Sequence, residues 1–489
     1  MMHLKSVKHF ILSLIFLSLT SCATTKVNEF YNDLAPLIEQ RNISGAVNFA
    51  EEFYPNSDKY NKLLYSLELG LLYHLNGNFK ESNEIFEKAK AVYAMKDYTS
   101  TFFNDDTLLP SYYLGEDYEM AYTNFFCSLN YLKTRKLKGK RDESVVEARQ
   151  SNNLFNKIKI DKSNDIYQDD PFIRYFMGLM YQNAGYFNDA MVSYKLALTA
   201  YANYNICEMK IPEDLVNNLY TIYCYYGLDQ EAKQLKKTYP YAKQLHTNDN
   251  GTLYIVNYNG IAPKRVAQII TLAFELAWDR YYRINNPYRA EVIKEFNVHE
   301  ISAAFPIYQE YDNKIKSFKV EITSEENKTK KYNCKSYKVT DLATVLEKHL
   351  PEPNYKAVFY SRINRYVLAL KEIDIVREQY EQKRRDILQD KDLNKSSKRR
   401  FLEDLDRETA SKVRAIKTSL NTLNKVNLKS WRSLPEEINM ATVSLPKGKY
   451  TIIIKYLDKK NNVIKTQEIK TKIRKQRNRF VLTNSFKGF

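Results

Sequence analysis

The side chains that most often carry catalysis are few and scattered in this 489-residue chain. Beyond residue 22 the histidines are His74, His246, His299 and His349, and none has a Cys, Asp or Glu at metal-ligand spacing. His299-Glu300 opens no H-E-x-x-H zinc helix. Cys127, Cys207, Cys224 and Cys334 form no C-x-x-C pair; they read as buried thiols acting as small hydrophobes, with a Cys207–Cys224 disulfide left open. No G-x-S-x-G elbow occurs, and Gly139-Lys140 and Gly448-Lys449 lack the upstream glycine of a phosphate loop. Glu51-Glu52 and Glu436-Glu437 read as surface carboxylates rather than a glycosidase pair. Trp278 and Trp431 read as structural rather than as a sugar platform. The expectation is a non-enzyme with no metal and no dissociable cofactor.

One thiol stands apart. Lys5 and Lys8 precede a ten-residue apolar run from Phe10 to Leu19. That run is shorter than the roughly 20 residues a membrane-spanning helix requires, but it fits a secretory leader. Its end, Leu19-Thr20-Ser21-Cys22, resembles the bacterial lipobox. The resemblance implies a signal peptide over residues 1–21, removed by cleavage, and a lipidated tether over 22–27. Cys22 would then carry a diacylglycerol thioether and an acyl chain on its new amino terminus. Ala23 stands where an inner-membrane retention signal usually has aspartate, which favours the outer membrane, its periplasmic side over its surface. No later run approaches membrane-spanning length, so Cys22 would be the sole anchor.

The elements that would present a binding site come next. "YSLELGLLYHLNGNFKESNEIFEKAKAVY" places Gly70 and Tyr73 on one helix, a turn at Gly77, then Phe86 and Ala89 on the next. "RYFMGLMYQNAGYFNDAMVSYKLALTAY" repeats the plan with Gly178, Tyr181, Gly185, Ala190, Tyr194 and Ala197. Three-and-four spacing of small and aromatic residues is what two antiparallel helices bury against each other. Both segments resemble the tetratricopeptide repeat, and weaker relatives surround them, so residues 28–240 read as a short helical solenoid. In such repeats the first helix of each pair lines a concave groove. Carried over by position, the lining is Leu64, Leu67, Leu71 and His74, then Tyr175, Leu179, Gln182 and Asn183. His74, Tyr175, Gln182 and Asn183 are the candidate contacts to a protein partner, because their side chains offer polar reach. The lysines and asparagines of the chaperone-type carboxylate clamp are absent from these helices.

After Pro240 the texture turns β-rich. "GTLYIVNYNG" reads as a strand, "VAQIITLAFELAWDRYY" as a helix, and "IKSFKVEIT" with "KKYNCKSYKV" as a hairpin. Two long helical patterns follow, joined at "DKDLNKSS", where Ser396 or Ser397 is the expected cap. Phe401, Leu405, Val413, Ile416, Leu420 and Leu423 form their expected seam. The chain closes with two strands around Asp458–Asn462 and a last strand near Phe480–Thr483. The predicted organisation is a β-rich module over 241–353, a charged helical hairpin inserted over 354–429, and basic strands over 430–489. The fold class is α+β, mainly α: an amino-terminal α-α solenoid followed by a β-rich module carrying the hairpin.

Four stretches, "NDDTLLPSYYLGEDYEMAYTNFFCSLNYL", "VNYNGIAPKRV", "ISAAFPIY" and "SWRSLPEEINMATVSLPKGKYTI", together resemble an uncharacterised family of tetratricopeptide-containing bacterial lipoproteins. The resemblance implies an outer-membrane lipoprotein and no established activity. Between Lys371 and Lys429 this chain is strongly charged where relatives are often rich in alanine and glycine. From Lys447 to Phe489, 13 Lys/Arg face only Asp458 and Glu468, a net of +11. That balance suits an anionic envelope polymer or anionic lipid; nucleic acid suits the charge but not the address. The leading expectation is a membrane-anchored interaction scaffold that grips another envelope protein. The alternative is a polymer or lipid binder working through the basic strands.

Overall fold

The computed structural model describes residues 27–40, 42–57, 61–95, 113–134, 141–161, 169–204, 209–245, 250–282, 288–327, 329–349, 354–420, 426–475 and 477–485. The leader, Cys22, Cys207, His246 and Leu423 lie outside them. The chain forms two compact units: one takes the described residues as far as Arg265 together with Tyr308–Leu350 and Lys429–Phe489, the other Val266–Ile307 with Pro351–Leu428.

Among the described residues the first unit begins with ten helices, packed in consecutive pairs from α3 onward: α1 (27–39), α2 (Ile43–Phe53), α3 (Lys62–Asn76), α4 (Phe79–Ala94), α5 (Asp117–Lys133), α6 (Arg141–Asp161), α7 (Pro171–Ala184), α8 (Phe187–Ala202), α9 (Glu213–Tyr225) and α10 (Asp229–Thr238). The repeat residues do what their spacing predicts. A Cβ on Gly70 would stand 2.6 Å from the Phe86 ring, and one on Gly178 would stand 2.3 Å from the Tyr194 ring, so α3 and α7 approach their partners through glycine. Gly77 and Gly185 end α3 and α7 at φ +87° and +93°, a left-handed cap that residues with a Cβ adopt at a cost. Phe86, Ala89, Ala190, Tyr194 and Ala197 are fully buried, and Tyr73 and Tyr181 border the same core. Pro171 opens α7, and Asp170 caps it by accepting from Ile173 N at 2.9 Å.

The strands are β1 (Asn250–Asn259), β2 (Lys264–Ala273), β3 (Glu300–Gln309), β4 (Ser317–Ser324), β5 (Lys331–Cys334), β6 (Ser336–Asp341), β7 (Glu437–Pro446), β8 (Gly448–Leu457), β9 (Val463–Ile473) and β10 (Asn478–Ser485). Two four-stranded sheets, ordered β10-β1-β7-β6 and β5-β4-β8-β9, and a short helix over Leu342–His349 also belong to the first unit. Leu253, Ile255, Ala441 and Leu445 of one sheet meet Val320, Ile322, Ile452 and Ile454 of the other in a shared core. The opposite face of the first sheet, with Tyr254, Val256, Tyr258, Ile438 and Met440, belongs to the helices' own core. The unit is therefore three layers deep: helices, sheet, sheet. The solenoid read over 28–240 is not a separate body.

The second unit joins β2 and β3 to the helical hairpin Tyr355–Gln389 and Lys395–Ser419. Phe274, Trp278, Ile301 and Phe305 pack on Phe359, Ile363, Val367 and Leu370. Three expectations are corrected here. The helix predicted from Val266 is strand β2 as far as Ala273, and only then a helical turn and a π-turn over Trp278–Tyr282. The single strand over 330–339 breaks at Lys335 into β5 and β6, which enter different sheets. The second hairpin helix is capped by Asn394, which accepts from Ser397 N at 2.9 Å, rather than by a serine. Segments 266–307 thus share a unit with the hairpin, not with the flanking β-rich residues of 241–353. In the seam, Leu405, Ile416 and Leu420 are buried and Val413 packs beside them, while Phe401 is 47% exposed.

Candidate functional site

The concave side of the repeat array is occupied by the chain's own first sheet. Leu64, Leu67, Leu71, Tyr175 and Leu179 are buried, as is His74. His74 Nδ1 lies 2.6 Å from Asn130 Oδ1 of α5, and its Nε2 lies 2.8 Å from Tyr258 OH of β1. Burial pushes its imidazole down to about 4, outweighing the Asn130 contact, because a buried ring disfavours the charged form. The Phe126 ring, 5.1 Å away, closes the apolar side of the site.

Tyr175 donates to Asp214 of α9, and Asp214 also accepts from Thr442 Oγ1 of β7 at 3.0 Å. Gln182 accepts from Tyr194 OH at 2.5 Å and reaches Asn218 at 3.3 Å. Asn183 is half-buried, and its Nδ2 has no hydrogen-bond partner among the described residues. The four candidate contacts do not form a free ligand surface. His74 and Tyr175 hold the sheet in the groove, and Gln182 braces the helices behind it. This corrects the expectation of an open groove, and its cause is the sheet itself.

Further contacts repeat the pattern along the array. Glu68 of α3 is fully buried and accepts from Tyr31 OH at 2.6 Å, Arg432 N at 2.7 Å and Ser433 N at 3.1 Å. Burial raises its carboxyl while those donors oppose the rise. The loop carrying these two amides also inserts Trp431, which sits edge-on to Phe86 and Phe126 at about 6 Å. Arg432 lies 3.9 Å over the Tyr31 ring. Tyr122 OH meets Asp170 at 3.0 Å and Thr340 of β6 at 2.8 Å. Lys133 donates to Phe480 O of β10 at 2.8 Å, and its burial lowers the ammonium to about 8. Composition gave no sign of Glu68, Asn130 or Tyr258 as a set, since they come from three distant segments.

One group of donor side chains has metal-like proximity among the described residues. Glu87, Cys127 and Glu147 place their ligand atoms within 4.8 Å of one another. The Lys90 ammonium already sits against both carboxylates, at 2.5 Å from Glu87 and 2.9 Å from Glu147, and also reaches Gln150 at 3.1 Å. A resident lysine cation already bridges the two carboxylates, and an ion entering would have to displace it.

Open surface is found in the second unit. A cleft of about 690 Å³ runs along the hairpin, floored by Phe296, Tyr366, Val413 and Leu420 and rimmed by Arg414 and Lys417. Tyr380 OH donates to Asp406 at 2.7 Å across it, and Glu295 receives Arg377 at 3.0 Å and Lys417 at 2.9 Å. On the outer face of the first hairpin helix, Tyr360, Leu368 and Ile375 are 41%, 55% and 53% exposed. Leu368 and Ile375, seven residues apart, share the side of the helix away from Phe359, Ile363 and Leu370, while Tyr360 stands at its margin, stacked on Tyr282.

No protein-family model and no curated protein matches the chain. Solved structures similar to it include MamA, with 13% identity over 41% of this chain and 89% of that one, and a TM-score of 0.28. Another is a signal-transduction ATPase with a tetratricopeptide repeat sensor from Pyrococcus horikoshii, with 15% identity over 43% of this chain and 28% of that one, and a TM-score of 0.29. At such scores the architecture rests on this chain's own helix pairs and strands: a tetratricopeptide-like α-α solenoid whose groove holds a β-sheet.

Proposed function

We propose that this chain is a non-catalytic protein–protein interaction scaffold tethered in a bacterial envelope by lipidated Cys22. Its address would be the periplasmic side of the outer membrane. The observation that carries the reading is the division of labour between the units. The repeat array spends its groove on the protein's own sheet, while the hairpin exposes Leu368 and Ile375 on one side, with Tyr360 at its margin. Apolar anchors at helical spacing are the residues by which a helix enters a partner's groove. The partner is thus another envelope protein, held by the hairpin's outer face rather than by the concave surface.

Crosslinking pull-downs from cells test this, comparing the wild type with Leu368→Ser/Ile375→Ser. The exposed pair is expected to lose one or more captured species while the melting temperature stays unchanged. Identical captured species from both proteins would refute the hairpin as the grip. The address is tested separately by mass spectrometry of the mature protein, which is expected to begin at Cys22 with diacylglycerol and an acyl chain attached. An unacylated start at another residue would overturn it.

A further inference from the structure

The outer face of the β5-β4-β8-β9 sheet is a flat array of like charges. Strand alternation turns Phe318, Val320, Ile322, Ile452 and Ile454 into the sandwich and their neighbours outward. On that outer face Lys319 of β4 stands directly opposite Lys455 of β8, and Lys449 of β8 directly opposite Lys472 of β9. Lys470 is one outward position along β9 from Lys472, and Lys331 of β5 lies opposite Thr323. Six lysines therefore face only Glu321 and Glu468, a net of +4 on one sheet face.

Lysines on an edge strand are an ordinary guard against edge-to-edge pairing, which accounts for those on β9 and β5. It does not account for Lys319 and Lys455, because β4 and β8 are the two inner strands of this sheet. Like charges directly opposed across a ladder cost stability, and here two such pairs occur on one face. Glu321 relieves only part of this. Lys455 bonds it at 2.5 Å and holds its carboxyl below the usual range, with Lys331 and Lys319 adding to the same pull. A single carboxylate is shared among three ammonium groups.

The geometry points to a docking surface for a linear anionic polysaccharide. Adjacent outward positions lie about 6.8 Å apart along a strand and about 4.8 Å apart across strands, a grid of ammonium groups over which an extended chain of acidic sugars can lie in more than one register. Thr323, Thr451 and Thr466 stand between the lysines and offer hydroxyls to sugar oxygens. The lysine grid itself holds one apolar side chain, Ile453; Val463 and Ile464 are exposed at the start of β9, too few to form the protruding hydrophobic set by which proteins enter a lipid interface. This inference does not rest on the scaffold reading and survives its failure.

The test uses the full chain with labelled polygalacturonate, neutral dextran, phosphatidylglycerol vesicles and a single-stranded oligonucleotide, at rising salt. Two variants are compared: Lys319→Gln/Lys449→Gln/Lys470→Gln/Lys472→Gln on the face, and Lys391→Gln/Lys395→Gln/Lys398→Gln/Lys412→Gln on the hairpin, which removes the same charge elsewhere. Polygalacturonate is expected to bind and dextran not. Affinity should weaken with salt and fall by about tenfold or more in the face variant alone. The face variant should melt no lower than the wild type, since it removes opposed charges. No polygalacturonate binding at low salt, or equal loss in both variants, overturns the proposal. Tighter face-dependent binding to vesicles or the oligonucleotide overturns the assigned partner class.

Discussion

His74 Nε2 and Tyr258 OH lie 2.8 Å apart in a fully enclosed site, although 184 residues separate them in the chain. The contact joins the first strongly marked repeat helix to an inner strand of the first sheet. It turns a solenoid groove into the seat of a β-sandwich. Burial keeps the ring neutral, and its two nitrogens are taken by Asn130 and Tyr258.

That neutrality predicts a pH response. The imidazole has a folded value of about 4 against an ordinary 6.5, so the native state disfavours the proton. Its stabilising effect is complete above pH 6.5 and is lost as pH falls towards 4, by up to about 3 kcal/mol. Urea melts of the wild type and His74→Gln between pH 7 and pH 4 are expected to converge at the acid end. Parallel pH profiles would show that the ring titrates freely.

Close packing through glycine predicts an ordered pair of substitution effects. Gly178→Ala drives a methyl into the buried Tyr194 ring, whose hydroxyl is fixed by Gln182. It should cost about 1–3 kcal/mol. Gly77→Ala meets no atom within 4 Å and pays only for its φ of +87°, about 1 kcal/mol. Equal losses in chemical melts would contradict the close approach of α7 and α8.

A shared core predicts that the array does not survive alone. Residues 27–245 without the sheet would expose the faces that cover Tyr254, Val256 and Tyr258, and would leave Glu68 without its two amide donors. The fragment is expected to bind a hydrophobic dye and to melt without a cooperative transition. A sharp transition near that of the whole chain would show an autonomous solenoid.

Breaking the buried carboxylate site should be more severe than any surface change. Glu68→Ala removes the acceptor for Tyr31 OH and two backbone amides at once, with an expected loss of about 2–4 kcal/mol. Glu68→Gln keeps an acceptor oxygen and should recover part of it. Thermal melts of the two variants decide; a neutral Glu68→Ala would mean that Trp431 and the contacts of Tyr31 with Ser430 and Arg432 hold the 430–433 loop without the carboxylate.

Much of the array was legible because its signals are local. Gly70 with Phe86, and Gly178 with Tyr194, lie 16 residues apart and announce one helix pair at a time. What fills the groove was not legible from those helices, since the occupant comes from β1, β7 and the 430–433 loop. A signal did exist in Leu253-Tyr254-Ile255-Val256, which shows no polar alternation. Such a run marks a strand covered on both faces, and β1 is buried almost throughout. The misread segment after Lys264 shows the opposite problem. Its apolar residues fit helical spacing, but the β-branched Val266, Ile269, Ile270 and Thr271 favour the strand that forms. His74 and Tyr175 lie toward the sheet, and the groups they reach there, Tyr258 directly and Thr442 through Asp214, come from segments that no helix spacing marks.

Native-state hydrogen exchange across α3, α7 and β1 tests most directly whether array and sheet are one cooperative body. Backbone amides of Leu69–Tyr73, Phe176–Met180 and Leu253–Asn257 are expected to open with the same free energy and the same denaturant dependence. Exchange of the β1 amides through a separate, lower-energy opening, with α3 and α7 still protected, would show a sheet that leaves the groove and would contradict the account.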